Sequence, residues 1–274
     1  MRFLKDLKLL IRTKSWSFVQ GLKKTAENKL QQYNWKKNKI HYRPGTSDAG
    51  LIYEILLRPG RRVKTNGVIQ YKRLLEYWVP PEINPRVIFD IGGNIGITSI
   101  FYSSFFPNAN IYTFEPVKSN FKILDLNSKN SDKIEIFNFG LGSKNEKVDI
   151  FTATEESNKG GFSIYSHSKD IDKTSFEKIQ IKNIKEVIET IEVPQIDLIK
   201  IDTEGAENNI LRSMDPVILS NVKWIIGELH SVDDFKLLDY LSEWFVIDLD
   251  KGLKNKLSLF NACNKKIVND ITWY

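Results

Sequence analysis

The sequence predicts a doubly wound α/β fold, a mostly parallel seven-stranded sheet preceded by an N-terminal helical extension. Three observations carry the prediction. The stretch Arg86–Thr98, RVIFDIGGNIGIT, passes from a β-branched and aromatic run through glycines into Ile97, Ile100, Phe101 and Phe105 at helical spacing. Short apolar runs then alternate with helix-spaced segments down to residue 260. Several of those runs end on an acidic residue, namely Asp90, Glu115, Asp202 and Glu228. In sheets of this kind the ligand lies beyond the carboxyl ends of the strands, so those ends are where a site is expected.

The chain has 274 residues, 41% of them hydrophobic, enough for one packed α/β domain with an extension. Cys263 is the only cysteine, which excludes an internal disulfide and a cysteine metal cluster and fits a reducing compartment. No run approaches the roughly twenty apolar residues of a membrane span. The apolar start is broken by Lys5, Lys8 and Arg12 and lacks a small-residue cleavage site, so it does not read as a signal peptide. The expectation is a cytoplasmic protein, with association at the cytoplasmic face of a membrane as an added option.

Met1–Asn38 sets Phe3, Leu4, Leu7, Leu10, Ile11, Trp16, Phe18, Val19 and Leu22 at helical spacing among lysines. Through Arg43 there are 12 Lys/Arg and 2 Asp/Glu, so this region carries +10 against +6 for the whole chain. Such helices dock on their own domain or on a partner subunit, or lie on an anionic membrane surface. Docking is the favoured expectation. Nucleic acid is not an expected partner, because no base-stacking platform or recognition-helix pattern accompanies the charge. His41–Asp48 reads as a polar loop with His41 at the surface, followed by helix-like stretches over Leu51–Leu57 and around Tyr71–Tyr77. Pro80, Pro81 and Pro85 stop the helix and mark a boundary, giving an extension over 1–85 and a ligand-binding domain over 86–274.

Within that domain the expected strands are Val87–Phe89, Ile111–Phe114, Ile134–Phe139, Ile196–Ile201, Val222–Ile226, Phe245–Leu249 and Lys256–Phe260. Helices are expected over Ser119–Asn130, before Glu192, over Glu207–Met214 and over Asp233–Trp244. Lys147–Thr152 and Glu177–Lys182 alternate apolar and polar residues, the first as an inserted antiparallel strand. The polar segment Thr152–Thr174 reads as a loop that closes over a substrate, and His167 within it as a surface residue.

Charge argues what the glycine turn binds. A dinucleotide turn would read Gly-x-Gly-x-x-Gly and face a pyrophosphate, but Gly92-x-Asn94 breaks the spacing. Asp90 at the strand end would repel a phosphate and attract S-adenosylmethionine, which carries a sulfonium and an ammonium. Glu115, ending the next strand, stands where a ribose-diol acceptor lies in nucleoside-binding sheets. The cofactor set is therefore Asp90, Gly92, Gly93, Asn94, Gly96, Glu115, Pro116, Gly140 and Asp202.

Methyl transfer to a hydroxyl also needs a group to take the acceptor's proton. Asp202, Glu204, Glu228 and His230 cluster at the ends of two strands and supply the candidates. Glu228 and His230 are two residues apart and so project to one side. A general base without metal is the favoured reading, with His230 the sharper candidate because imidazole titrates near neutrality. A divalent metal held by Asp202, Glu228 and His230 is the less favoured alternative, and a structural role is the third.

VIFDIGGNIG, TFEP, FGLGS, LIKIDTEGAE and GELH resemble the FkbM family of class I S-adenosylmethionine-dependent methyltransferases, which have a Rossmann-like fold. The resemblance spans roughly Tyr42–Asp250, including RPGTSDAGLIYEIL. It implies O-methylation of small hydroxylated acceptors such as glycan sugars or polyketides. It also implies that Asp90, Gly92 and Gly96 form the cofactor turn, Glu115 binds ribose, and Asp202 to Glu207 form the family's acidic strand end. Family members often carry alanine where Gly93 stands, a departure expected to be harmless. The competing expectations are an NAD-dependent oxidoreductase and a nucleoside-binding module that has lost its chemistry.

Overall fold

The computed structural model describes residues 2–23, 29–57, 61–65, 68–72, 77–153, 162–163, 171–230, 233–250 and 258–271. The chain opens with helices α1 (Arg2–Thr13) and α2 (Trp16–Gly21), the latter capped by Ser15 accepting from the Phe18 amide. Phe18 and Val19 of α2 are buried, so this helix packs against its own chain, whereas Leu7, Ile11 and Trp16 remain exposed. Among the described residues no helix is long and apolar enough to cross a membrane.

The region before residue 85 is more than helical. Strands β1 (Gln31–Trp35) and β2 (Asn38–Tyr42) form an antiparallel hairpin around Lys36, which takes a left-handed φ of 50°. Tyr33, Ile40 and Tyr42 alternate with polar residues and point inward, a period of two that outweighs the helical spacing read before them. His41 consequently lies in a strand, half-buried, with its amide donating to Asn127 Oδ1 at 2.7 Å. Helix α3 (Ser47–Leu51) runs into a π-helical turn, Ile52–Leu57. A second hairpin, β3 (Arg61–Thr65) with β4 (Val68–Lys72), places Tyr71 in a strand and corrects the helix expected there. Its β-branched Val63, Val68 and Ile69 favour that conformation.

The main sheet follows: β5 (Val87–Ile91), α4 (Ile97–Phe105), β6 (Asn110–Phe114), α5 (Lys118–Ser128) and β7 (Ile134–Phe137). A side sheet comes next, with β8 (Gly140–Gly142), β9 (Glu146–Ala153), β10 (Phe162–Ser163) and β11 (Ile171–Asn183). The inserted antiparallel strand is β9, as expected. The segment expected to form one polar loop contributes strand at 162–163 and from 171 onward, and its remainder lies outside the described residues. The chain then gives α6 (Ile184–Ile191), β12 (Leu198–Ile201), α7 (Glu207–Arg212), α8 (Pro216–Leu219), β13 (Trp224–Leu229), α9 (Asp233–Leu241), β14 (Phe245–Asp250) and β15 (Ser258–Asn264).

The seven-stranded sheet has the order β14-β15-β13-β12-β5-β6-β7, with β15 antiparallel to its neighbours and the inner pairs parallel. The chain moves outward from β5 through β6 to β7, then resumes on the other side of β5 at β12. Order therefore reverses between β5 and β12, which is where such sheets bind ligands. Strand alternation sends Ile88, Leu198 and Ile226 into a core shared with the N-terminal elements and α4. The opposite face sends Phe89, Ile199 and Ile225 against α6, α7 and α9.

Candidate active site

Gly92, at the end of β5, takes a φ of +77°, and a Cβ there would stand 1.8 Å from the Asp202 carbonyl oxygen. Only glycine brings the turn this close to the end of β12. Gly93 is tight for another reason: its Cβ would lie 2.2 Å from Thr113 Cγ2, a stiff β-branched neighbour. An alanine at this position would therefore crowd Thr113 in this chain, and the glycine found here avoids that contact.

The turn opens on a cleft that is open to solvent. Of the residues expected to bind cofactor, Gly92, Asn94, Glu115, Pro116, Gly140 and Asp202 line it, and Glu204 stands beside them. Gly93 and Gly96 shape the turn and are not among the cleft's lining residues. Glu115 is almost fully buried. Its Oε2 accepts the Asn94 amide at 2.8 Å, and its Oε1 accepts the Val117 amide at 2.9 Å. Oε1 also accepts Asn120 Nδ2 at 3.5 Å, while Oε2 keeps a second lone pair for a hydroxyl donor. Burial pushes the Glu115 carboxyl up to about 7 despite those bonds. Asn94 Oδ1 is buried with no hydrogen-bond partner among the described residues, so it is ready to accept from a ligand.

Asp90 does not face this cleft. It is fully buried on the opposite side of β5, where Ser99 Oγ donates to it at 2.5 Å and Lys200 Nζ lies 3.3 Å away. Asp90 and Lys200 are direct partners in the parallel β5–β12 register. Its charge is thus offset inside the protein, which corrects the expectation that Asp90 itself attracts the methyl donor. Lys200 also donates to the Gly92 carbonyl at 2.6 Å, so the pair fixes the turn. Burial pulls the Lys200 ammonium down, but Asp90, Asp202 and Glu228 more than compensate and leave it raised. A lysine inside the four-residue apolar strand LIKI was the signal for this pair, since a buried ammonium needs a counter-charge.

The acidic cluster does assemble as expected. His230 Nε2 lies 3.7 Å from Asp202, 3.5 Å from Glu204 and 3.6 Å from Glu228, and Nδ1 lies 3.3 Å from Glu207. Burial lowers the ring's affinity for a proton, but Glu207, Asp202 and Glu204 outweigh it and lift His230 to about 9. An imidazolium at neutral pH has no lone pair free to accept a proton, whereas the carboxylates around it do. Burial and Asp202 raise both Glu204 and Glu228 to about 7. Glu204 is half exposed and sits at a left-handed φ of 57° at the cleft's edge. Asp202, Glu228 and His230 each offer one atom within 4.8 Å of the others, a spacing that a divalent cation could use.

Sequence reasoning missed Tyr77. Its hydroxyl lies within hydrogen-bond distance of both Asp202 Oδ2 and Glu228 Oε1, at 2.9 Å in each case, and its one proton serves one of them at a time. No motif surrounds it, and it comes from the extension.

A doubly wound sheet with one antiparallel strand next to its edge, opening at the switch point on a cleft with acidic strand ends, is the class I methyltransferase fold. Residues 90–252 match the methyltransferase FkbM domain, more than half of the chain, and the protein belongs to that family. Among curated proteins, it is 30% identical over 161 residues to the hexuronic acid methyltransferase AglP of Haloferax volcanii, covering 57% of this chain and 62% of AglP. It is 25% identical over 189 residues to the AMB antimetabolite synthetase AmbE of Pseudomonas aeruginosa, covering 57% of this chain and only 9% of that protein. A crystal structure of an FkbM methyltransferase from Methylobacillus flagellatus aligns with a TM-score of 0.47 at 16% identity, covering 65% of this chain and 44% of that one. The chain thus spans less than two thirds of the length of each of these three.

Proposed function

We propose that this protein is an S-adenosylmethionine-dependent O-methyltransferase that forms a methyl ether on a hydroxyl of a sugar or a similar small polyol. The observation that carries the reading is the cleft at the β5–β12 switch point, walled by Glu115, Asn94, Asp202 and Glu204. Those residues fit the donor. Glu115 accepts from a ribose diol, Asn94 Oδ1 is a buried acceptor awaiting a donor, and the acidic wall suits a cation. Bound there, S-adenosylmethionine supplies an electrophilic methyl carried on a sulfonium.

The chain's part in the reaction is to hold the acceptor and take its proton. Held in the cleft beside Glu115 and Asp202, the donor would supply the methyl while its sulfur keeps the bonding pair, leaving the acceptor only its proton to lose. The hydroxyl proton passes to Asp202, which lines the cleft and is held by Tyr77. His230 stays protonated and stabilises the carboxylates while the proton is in transit. A divalent cation on Asp202, Glu228 and His230 would act on the same proton by acidifying the hydroxyl. The similarity to AglP, named for hexuronic acid, supports a sugar acceptor. The carboxylates at the cleft favour a neutral hydroxyl over a uronate carboxyl, because like charges repel.

The test is a transfer assay with methyl-labelled S-adenosylmethionine against neutral and uronic methyl glycosides. The expected product keeps its label through mild alkali, as an ether does. Label lost in alkali identifies a methyl ester and contradicts the reading.

A further inference from the structure

Tyr77 lies upstream of the matched residues 90–252, yet its hydroxyl stands 2.9 Å from carboxylate oxygens at the ends of both β12 and β13. The residue is fixed by several independent contacts. Its φ is 58°, a left-handed conformation that bulky side chains rarely adopt. Its carbonyl oxygen accepts the Tyr102 hydroxyl at 2.8 Å, its ring centre lies 5.1 Å from Lys200 Nζ, and it is almost fully buried. Strain of this kind persists only where the surroundings over-determine it, and it concentrates at functional sites.

We infer that Tyr77 is a positioning residue for methyl transfer, its hydroxyl joining Asp202 and Glu228 into one hydrogen-bonded unit that aims Asp202 into the cleft. The inference rests on the reading of Asp202 as the proton acceptor. A phenol has one proton and two lone pairs, so it donates to the Asp202 carboxylate while accepting from Glu228 in its protonated form. Two acidic groups that would otherwise repel are thereby held on one bridge. The charged groups facing that bridge are Lys200 beneath the ring and His230, 3.7 Å from Asp202 and 3.6 Å from Glu228. Glu204 lies beyond, 3.5 Å from the imidazole. The extension therefore contributes a working part of the site.

Tyr77→Phe removes the hydroxyl and keeps the ring over Lys200. Protein carrying 13C-labelled Asp and Glu carboxyls is compared with wild type at fixed pH, with signals assigned through Asp202→Asn and Glu228→Gln. Both the Asp202 and Glu228 signals should move, while that of Glu115 should not. The dissociation constant for S-adenosylmethionine should stay within about twofold of wild type. With a hydroxyl acceptor, kcat should fall about ten- to a hundredfold, the worth of one hydrogen bond to a charged group, with little change in acceptor KM. Unmoved carboxyl signals, an undiminished kcat, or donor binding lost in parallel with turnover would each overturn the inference. Should Tyr77→Phe not fold, Glu228→Gln probes the bridge from its other end. The 13Cζ signal of Tyr77 must then shift, and an unmoved signal overturns the inference. If wild-type protein binds the donor but methylates no hydroxyl, the O-methylation reading fails, and the carboxyl signals decide on the bridge separately.

Discussion

Replacing His230 with Gln keeps a polar side chain of similar reach and removes the cation from the acidic cluster. Lifting the ring from 6.5 to about 9 corresponds to a preference for the imidazolium in the folded state of about 3 kcal/mol. The side chain is only 9% exposed, so solvent screens little of this. Because the folded value lies above the unfolded one, the stabilisation is fully present below about pH 6.5 and is lost as pH rises through about 9. Glu115, Glu204 and Glu228, raised to about 7, lose stability earlier, between their ordinary range and pH 7. The Cys263 thiol, pushed by burial to about 11, acts later. The window from about pH 7.5 to 9.5 therefore belongs to His230. About 2 kcal/mol of this is lost between pH 7.5 and 9.5, so at about 2–4 °C per kcal/mol for a chain near this size the wild-type Tm should fall by about 4–8 °C more than that of His230→Gln across the window. Differential scanning calorimetry of both proteins at several pH values reads this directly. Parallel curves would refute the imidazolium and return His230 to the role of base.

Other outcomes follow from the same contacts. Gly93→Ala should cost about 1–3 kcal/mol through overpacking against Thr113, and a Tm within 1 °C of wild type, a tolerance of about that size, would contradict it. Lys200→Met strands Asp90 in the interior and should destabilise by about 3–5 kcal/mol, read by urea unfolding; restoration by adding Asp90→Asn is expected. Methyl transfer should survive exhaustive dialysis against a chelator, whereas loss of turnover regained with a divalent cation would establish the metal reading. Donor affinity should rise about tenfold from pH 6 to pH 8 as Glu115 ionises, and Glu115→Gln should flatten that rise, both read by titration calorimetry.

The core sheet was legible in the sequence because local pattern and tertiary environment agree there. Val87–Phe89 and Ile111–Phe114 are apolar runs buried in inner strands, and Glu115 and Asp202 fall at their strand ends as position alone requires. Helical spacing was misleading in the extension, where Tyr33, Ile40 and Tyr42 serve a hairpin packed into the core on one face of the sheet. The direction of Asp90 was misjudged for a related reason. Its place at the strand end was correct, but the side chain follows the two-residue alternation to the face where Lys200 waits. Tyr77 was invisible because its partners stand 125 and 151 residues away in the chain. The proton affinity of His230 depends on four carboxylates brought together only by folding.

Titration of S-adenosylmethionine into wild-type protein and into Glu115→Ala at pH 8 tests the donor cleft most directly. The account predicts saturable binding at one site in the wild type and a loss of at least about tenfold in the variant, as expected when a hydrogen bond to a charged acceptor is removed. Equal affinity in the two proteins, or no binding to the wild type, would contradict it.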